Sequence, residues 1–279
     1  MLAIYKRELK SYLTSMVGYL FMFFVLLIAG IYLSAYQLTA AYPKFEYTLN
    51  AMTFVFLIAV PILTMRVLAE ERKQKTDQLL LTSPVSVFGI VMGKYLALVT
   101  IYAIPVAVLA TYPLLMAKFG TVAFGSAYTA LLGFFLLGCA NIAIGVFFSA
   151  ITESQVIAAV LTFVFLFAFY MMNGISSFFS QTAMSTCVTF GLLIIALSLM
   201  IYSMIICVAG EAVLVIIYVV KSSVFEGGIQ KVMEVFNLSS HFENFTNSIF
   251  DVTGVLYFVS VITICIFLTM QTILKRRWN

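Results

Sequence analysis

Charge is what this sequence has least of. Only 9% of its 279 residues are charged, against about a quarter in a soluble domain. Histidine occurs once, as His241, so no histidine-based metal centre can be assembled. Aspartate occurs twice, as Asp77 and Asp251, both outside or at the edges of apolar stretches. A membrane protease would need catalytic groups at membrane depth, and none is there. Cys139, Cys187, Cys207 and Cys265 sit in apolar stretches without a CxxC pair and read as buried packing residues. No GxSxG or HExxH pattern is present. "GIVMGKY" (Gly89–Tyr95) departs from a phosphate loop in its glycine spacing and in the Tyr95 that replaces Ser or Thr. The chain thus has no nucleotide-hydrolysing machinery of its own, and ATP-driven work needs a partner.

What is present is apolar: 63% of residues are hydrophobic. A hydrocarbon layer about 30 Å thick takes about 20 such residues per helical span. Met16–Leu38, Ala51–Leu68, Tyr95–Met116, Tyr128–Ile151, Val156–Met172 and Val252–Leu274 qualify or come close. Their evenness excludes the alternating strands of a barrel. The expected fold is all-α, a polytopic membrane helical bundle. Met184–Val220 would be about 55 Å long as one straight helix. It reads as two spans joined by a turn near Ser203–Gly210, an extra hairpin bringing the count to eight. One bent helix would give seven, and a re-entrant pair six.

Positive charge weighs these options, since Lys and Arg concentrate on the cytoplasmic side. Eight spans with both termini inside place 11 basic residues, including Lys6, Arg7, Lys94 and Arg276, at the cytoplasmic face. Four fall outside: Lys44, Lys118, Lys221 and Lys231. The net charge of +4 therefore carries orientation and gives no reason to expect nucleic acid. Residues 1–14 read as an interfacial helix before a retained first span. Tyr5, Leu9, Tyr12, Leu13 and Met16 recur on one face, with Lys6, Arg7, Glu8 and Lys10 mostly off it. Residues 222–251 form an external loop, in which "FEGGIQKVMEVF" has the pattern of a short amphipathic helix.

Polar residues within the spans are few. Gly138, Asn141 and Gly145 share one helical face, the pattern of close packing around an amide, with a place on a substrate path as the other reading. The densest charge lies in "AEERKQKTDQLLLTSPVS" (Ala69–Ser86), with six charges in nine residues between the second and third spans. An apolar half (Leu79, Leu80, Leu81) follows, and Ser83 with Pro84 reads as the start of the next helix. Such a segment (residues 69–88) can rest leucines on the bundle and hold charge out to a soluble partner. An ordinary basic loop is the plainer alternative.

"EERKQKTDQLLLTSPVSVFGIVMGKYLA" resembles the coupling-helix stretch of ABC-2 type export permeases, with "GT" of the family pattern replaced by Lys75-Thr76. "YKRELKSYLTSMVGYLF", "IGVFFSAITESQVIAAVLTF" and the closing "LSSHFENFTNSIFDVTGVLYFVSVITICIFLTMQTILKRRW" resemble further parts of the gliding-motility and nitrous-oxide-accessory type permeases, in order along the chain. The resemblance implies a six-span core in the cell membrane. It implies a non-catalytic subunit that pairs with a second permease subunit in the lipid bilayer and binds a cytoplasmic ABC ATPase. ATP and magnesium would belong to that ATPase, with no cofactor held by this chain. Glu70, Glu71, Arg72, Lys73, Thr76 and Leu79 would lie in or near the ATPase contact. Two departures are Lys75, where the family has glycine, and the apolar surplus at 184–220. A stand-alone carrier or channel, or a non-transporting anchoring subunit, are the competing functions. The spans offer no site that selects among lipid, peptide, drug or polysaccharide.

Overall fold

A backbone in hydrocarbon finds no water to pair with, so apolar stretches close their hydrogen bonds within themselves as helices. The structure, a computed structural model, describes residues 1–42, 44–76, 85–118, 120–180, 182–201, 226–247 and 251–278. Among them there is no strand. Five helical segments are long and apolar enough to cross a membrane: Met16–Thr39, Glu46–Lys73, Val87–Met116, Phe124–Ile151 and Val252–Arg276. The chain is a multi-pass helical membrane protein. A sixth apolar helix, Gln155–Tyr170, is shorter. Ala183–Ile201 is the helical first half of the expected hairpin, and its second half and turn lie outside the described residues.

Two units form, Met1–Phe167 with Ser239–Asn279, and Ala168–Leu238. The first begins with α1 (Leu2–Thr14) and α2 (Met16–Leu33), the latter extended by a π turn over Ser34–Thr39. The second span is broken into α3 (Glu46–Ala51), a 3-10 turn, α4 (Phe56–Thr64) and α5 (Ala69–Lys73). There follow α6 (Val87–Leu109), α7 (Tyr112–Met116), α8 (Phe124–Ile151) and α9 (Gln155–Tyr170). The second unit holds α10 (Met172–Ser177), α11 (Ala183–Ile201) and α12 (Gly228–Phe236). There α12 lies on α11, with Gly228 against Thr186, and Gln230 Nε2 donates to the Phe179 carbonyl over 2.7 Å. The expected amphipathic helix in residues 222–251 is thus present as α12. The chain closes in the first unit with α13 (Leu238–Thr246) and α14 (Val252–Trp278). Asp251 caps α14: its Oδ1 accepts from the Thr253 amide at 2.9 Å and its Oδ2 from Asn244 Nδ2 at 2.8 Å.

The centre of the first unit is α8, the most enclosed of the five spans, with α4, α6 and α14 packed on it. Small residues make this approach possible. The Tyr102 ring lies on Gly138, where a Cβ would overlap it, and the Tyr102 hydroxyl donates to the Phe134 carbonyl at 2.8 Å. The Thr64 side chain fills the corresponding space over Gly145. Asn141 lies buried between the two glycines along the helix. Around Gly138, Phe56 and Phe134 meet at 4.8 Å between ring centres. The glycine face is therefore a packing seam, formed because a membrane interior rewards close contact more than further hydrophobicity.

Two local expectations are corrected. The helix that leads into the third span starts at Val87: Val85 and Ser86 are non-helical, and Ser86 Oγ caps α6 by accepting from the Gly89 amide at 3.2 Å, while Ser83 and Pro84, expected as a helix start, lie outside the described residues. Glu8 does not face away from the bundle. It is buried beside Tyr12, because Glu8 stands three residues after Tyr5 and four before Tyr12, on their face.

Replacing Gly138 by leucine forces the Tyr102 ring away and is expected to cost about 1–3 kcal/mol, or more. Thermal unfolding of the purified chain in detergent measures it. Gly125→Leu, at a position with open space, is the control that stays near the parent.

Candidate functional site

The charged segment gathers four parts of the chain around it. Its first turn is α5, and it follows a break in the second span, because Met65–Leu68 leave the α-helix. A break at this depth orphans backbone groups, and Ser149, near the end of α8, serves them. Its hydroxyl accepts from the amides of Leu68 (3.1 Å) and Ala69 (3.2 Å) and donates to the Met65 carbonyl (3.2 Å). Ser149 is wholly buried, so these bonds are made without competition from water.

Beyond the break the charges pair inward. Glu71 Oε1 meets Lys94 Nζ at 2.9 Å, and Lys94 Nζ also reaches Glu8 Oε1 at 3.0 Å and the Val67 carbonyl at 2.9 Å. Lys94 is 1% exposed, and three acceptors match its three protons. Arg7 stands 3.5 Å from the same Glu71 oxygen. Glu70 takes Arg66 Nε at 3.1 Å, one helical turn back. Arg66 in turn lies over the Tyr12 ring, 5.5 Å from its centre, and the Tyr12 hydroxyl donates to the Leu63 carbonyl at 3.1 Å. Burial pushes the Tyr12 phenol well above its usual range, so it remains a donor at any physiological pH.

The other side of the segment is tied to α8 and α14. Arg72 pairs with Glu153 at 2.8 Å and donates to the Ile151 carbonyl at 2.6 Å. Arg276, in the last turns of α14, donates to the Ala150 and Ile151 carbonyls. Two guanidinium groups thus cover the final carbonyls of α8, where the helix dipole is negative and intrahelical partners run out.

The segment's own turn explains Lys75. The Thr76 amide donates to the Glu71 carbonyl (2.9 Å) and the Lys75 amide to the Arg72 carbonyl (3.1 Å). This pair of bonds is the Schellman ending of a helix, which wants its residue after the cap left-handed. Lys75 is that residue, with φ of 57°. A lysine there holds the turn at the cost of strain that glycine would avoid. Thr76 adds a hydroxyl bond to the Glu71 carbonyl at 3.2 Å.

The expected ATPase-contact residues therefore divide. Glu70, Glu71 and Arg72 spend their side chains within the protein, and Thr76 closes the turn. Lys73 is exposed beside Gln74 and Lys75, and Leu79 lies outside the described residues. Gly138, Asn141 and Gly145 belong to the helix-packing seam and not to this cluster. Sequence reasoning missed Glu8, Lys94, Ser149, Glu153 and Arg276 as members of the site. One signal was available: Lys94 is a lone cation inside an otherwise apolar helix, which demands a partner. Among the described residues no group of His, Cys, Asp or Glu could hold a metal ion. Comparison with protein-family profiles gives no match, and comparison with curated proteins gives none either.

Lys94→Met leaves Glu8 without its cation and Glu71 with only the exposed Arg7 at 3.5 Å, and is expected to cost about 3–5 kcal/mol. Adding Glu71→Gln should restore part of it, and unfolding of the four-member cycle measures the coupling. Lys75→Gly relieves the left-handed strain and should stabilise by about 1 kcal/mol, whereas Lys75→Ala, which keeps the strain, should not.

Proposed function

We propose that this chain is the membrane-spanning permease subunit of an ATP-binding cassette exporter of the ABC-2 type. It couples ATP hydrolysis by a separate cytoplasmic ATPase to movement of a substrate across the cell membrane. The observation that carries the reading is the ionic knot Glu8–Lys94–Glu71. A segment meant to transmit a push needs stiffness, and this one is tied to α1 and α6 by ions and to α8 by Ser149 and Arg72. The quoted resemblance to the family's coupling stretch supports it, and so does a turn built for the family's glycine at position 75.

In this mechanism the exposed Lys73, Gln74 and Lys75 meet the ATPase, while Glu71 and Arg72 pass its movement to the spans. Closure of two ATPase subunits favours one arrangement of the bundle over another, a shift of population by differential contact. A second permease subunit, identical or a sibling, completes the path. The basic ends support termini on the cytoplasmic side. α1 and the end of α14 meet the same charged segment or its α8 neighbour, which supports an even number of crossings, six or eight.

A stand-alone carrier is the second reading. The buried Glu8–Lys94–Glu71 trio favours it, because ion-coupled carriers keep such charges for function.

Lys73→Glu with Lys75→Glu is expected to insert normally and to lose co-purification of a nucleotide-hydrolysing subunit. Lys94→Met should retain that subunit while its hydrolysis no longer drives transport. Transport in vesicles without nucleotide, or labelling of Lys73 by an impermeant amine reagent from outside the cell, would overturn the proposal.

A further inference from the structure

Beside the ionic knot lies a cavity of about 210 Å³, lined by Arg7, Glu8, Arg66, Glu70, Glu71 and Lys94 among others. Three positive and three negative side chains line it, so it has strong local fields and no net charge. Not all of this charge is used internally. Glu71 Oε2 is buried and has no hydrogen-bond partner, while its Oε1 serves Lys94. Arg7 is 63% exposed and touches the knot only at 3.5 Å, leaving most of its five donors to spare. A pure anion entering here would meet three carboxylates, and a metal ion would meet three cations. A neutral molecule carrying both charges fits: an anionic group on the guanidinium of Arg7 or Arg66, and an ammonium with N–H donors on Glu71 Oε2.

Depth narrows the choice. α6 runs over Val87–Leu109 from the charged end of the bundle, and Lys94 is its eighth residue, about 10 Å along it. With the charged end of the bundle placed at the surface of a bilayer, the cavity beside Lys94 is expected within reach of lipid headgroups. The volume equals about seven waters, which suits a group of about eight non-hydrogen atoms.

We propose that this cavity binds phosphoethanolamine, the zwitterionic headgroup of a membrane lipid, with its phosphate on Arg7 and Arg66 and its ammonium on Glu71. The site stands on the geometry of the knot and on the membrane setting, and does not depend on the transporter reading. Choline headgroups share the phosphate but have no N–H to give Glu71, so the site discriminates between two lipids of equal charge.

The test is native mass spectrometry of the full chain in detergent, with phosphatidylethanolamine, phosphatidylcholine and phosphatidylglycerol of identical tails in equal amounts. Phosphatidylethanolamine should be retained about tenfold over either other lipid, the worth of one charge-assisted hydrogen bond. Arg7→Gln, at an exposed position that leaves the fold intact, should lower retention of all three lipids, whereas Glu71→Gln should bring phosphatidylethanolamine down to the phosphatidylcholine level. Displacement by soluble glycerophosphoethanolamine would support the headgroup chemistry with a free molecule as a further source. Failure of that competitor with the lipid preference intact would support the bilayer lipid as the occupant. Equal retention of the ethanolamine and choline lipids, a preference that survives Glu71→Gln, or lipid retention unchanged by Arg7→Gln overturns the proposal.

Discussion

The ammonium of Lys94 organises one end of this protein. A single cation, almost wholly shut away from water, holds Glu8 from α1, Glu71 from the charged segment and the carbonyl of Val67 from the broken second span. Desolvating these ions is unfavourable by several kcal/mol each, so the knot contributes less to net stability than to arrangement. Any displacement that separates one of its members leaves a bare charge in poor solvent. The three elements therefore hold a single geometry.

The same logic runs through the neighbouring contacts. Several polar groups near the end of the bundle compensate specific defects that membrane burial creates. Ser149 repairs the helix break before α5, Arg72 and Arg276 finish the carbonyls of α8, and Ser86 starts α6. Of the charge that makes the sequence at 69–76 look like a solvent-facing loop, Glu70, Glu71 and Arg72 are paired within the protein, while Lys73 and Lys75 stay exposed.

The helical class and five of the spans were legible because hydrocarbon imposes a length and a composition that can be counted along the chain. The packing seam at Gly138 and Gly145 was legible from helical spacing, since only one face is involved. The site was legible in part. Spacing brought Glu70, Glu71 and Arg72 to notice as a dense charge cluster, but their directions depend on which distant residues pack against them. Glu8 and Lys94 lie 86 positions apart, and no local pattern links them. The cap of α6 is Ser86, which offers the same hydroxyl chemistry as Ser83, so spacing along the chain did not single it out. Lys75 is instructive in a different way: a lysine in left-handed backbone gives no local signal, and the turn around it overrides its preference.

The seating of Tyr102 on Gly138 has a bearing on how such a bundle can change shape. The ring occupies a notch one residue wide, and its hydroxyl is pinned to the Phe134 carbonyl a turn away. Sliding α6 along α8 would drive the ring into a neighbouring side chain and break that bond at once. The third and fourth spans are thereby interlocked like a tooth in a rack, and travel as one rigid blade. Rearrangement is left to surfaces with no such notch, such as the largely bare flank of α9, where Val156, Val160 and Val164 stand outward.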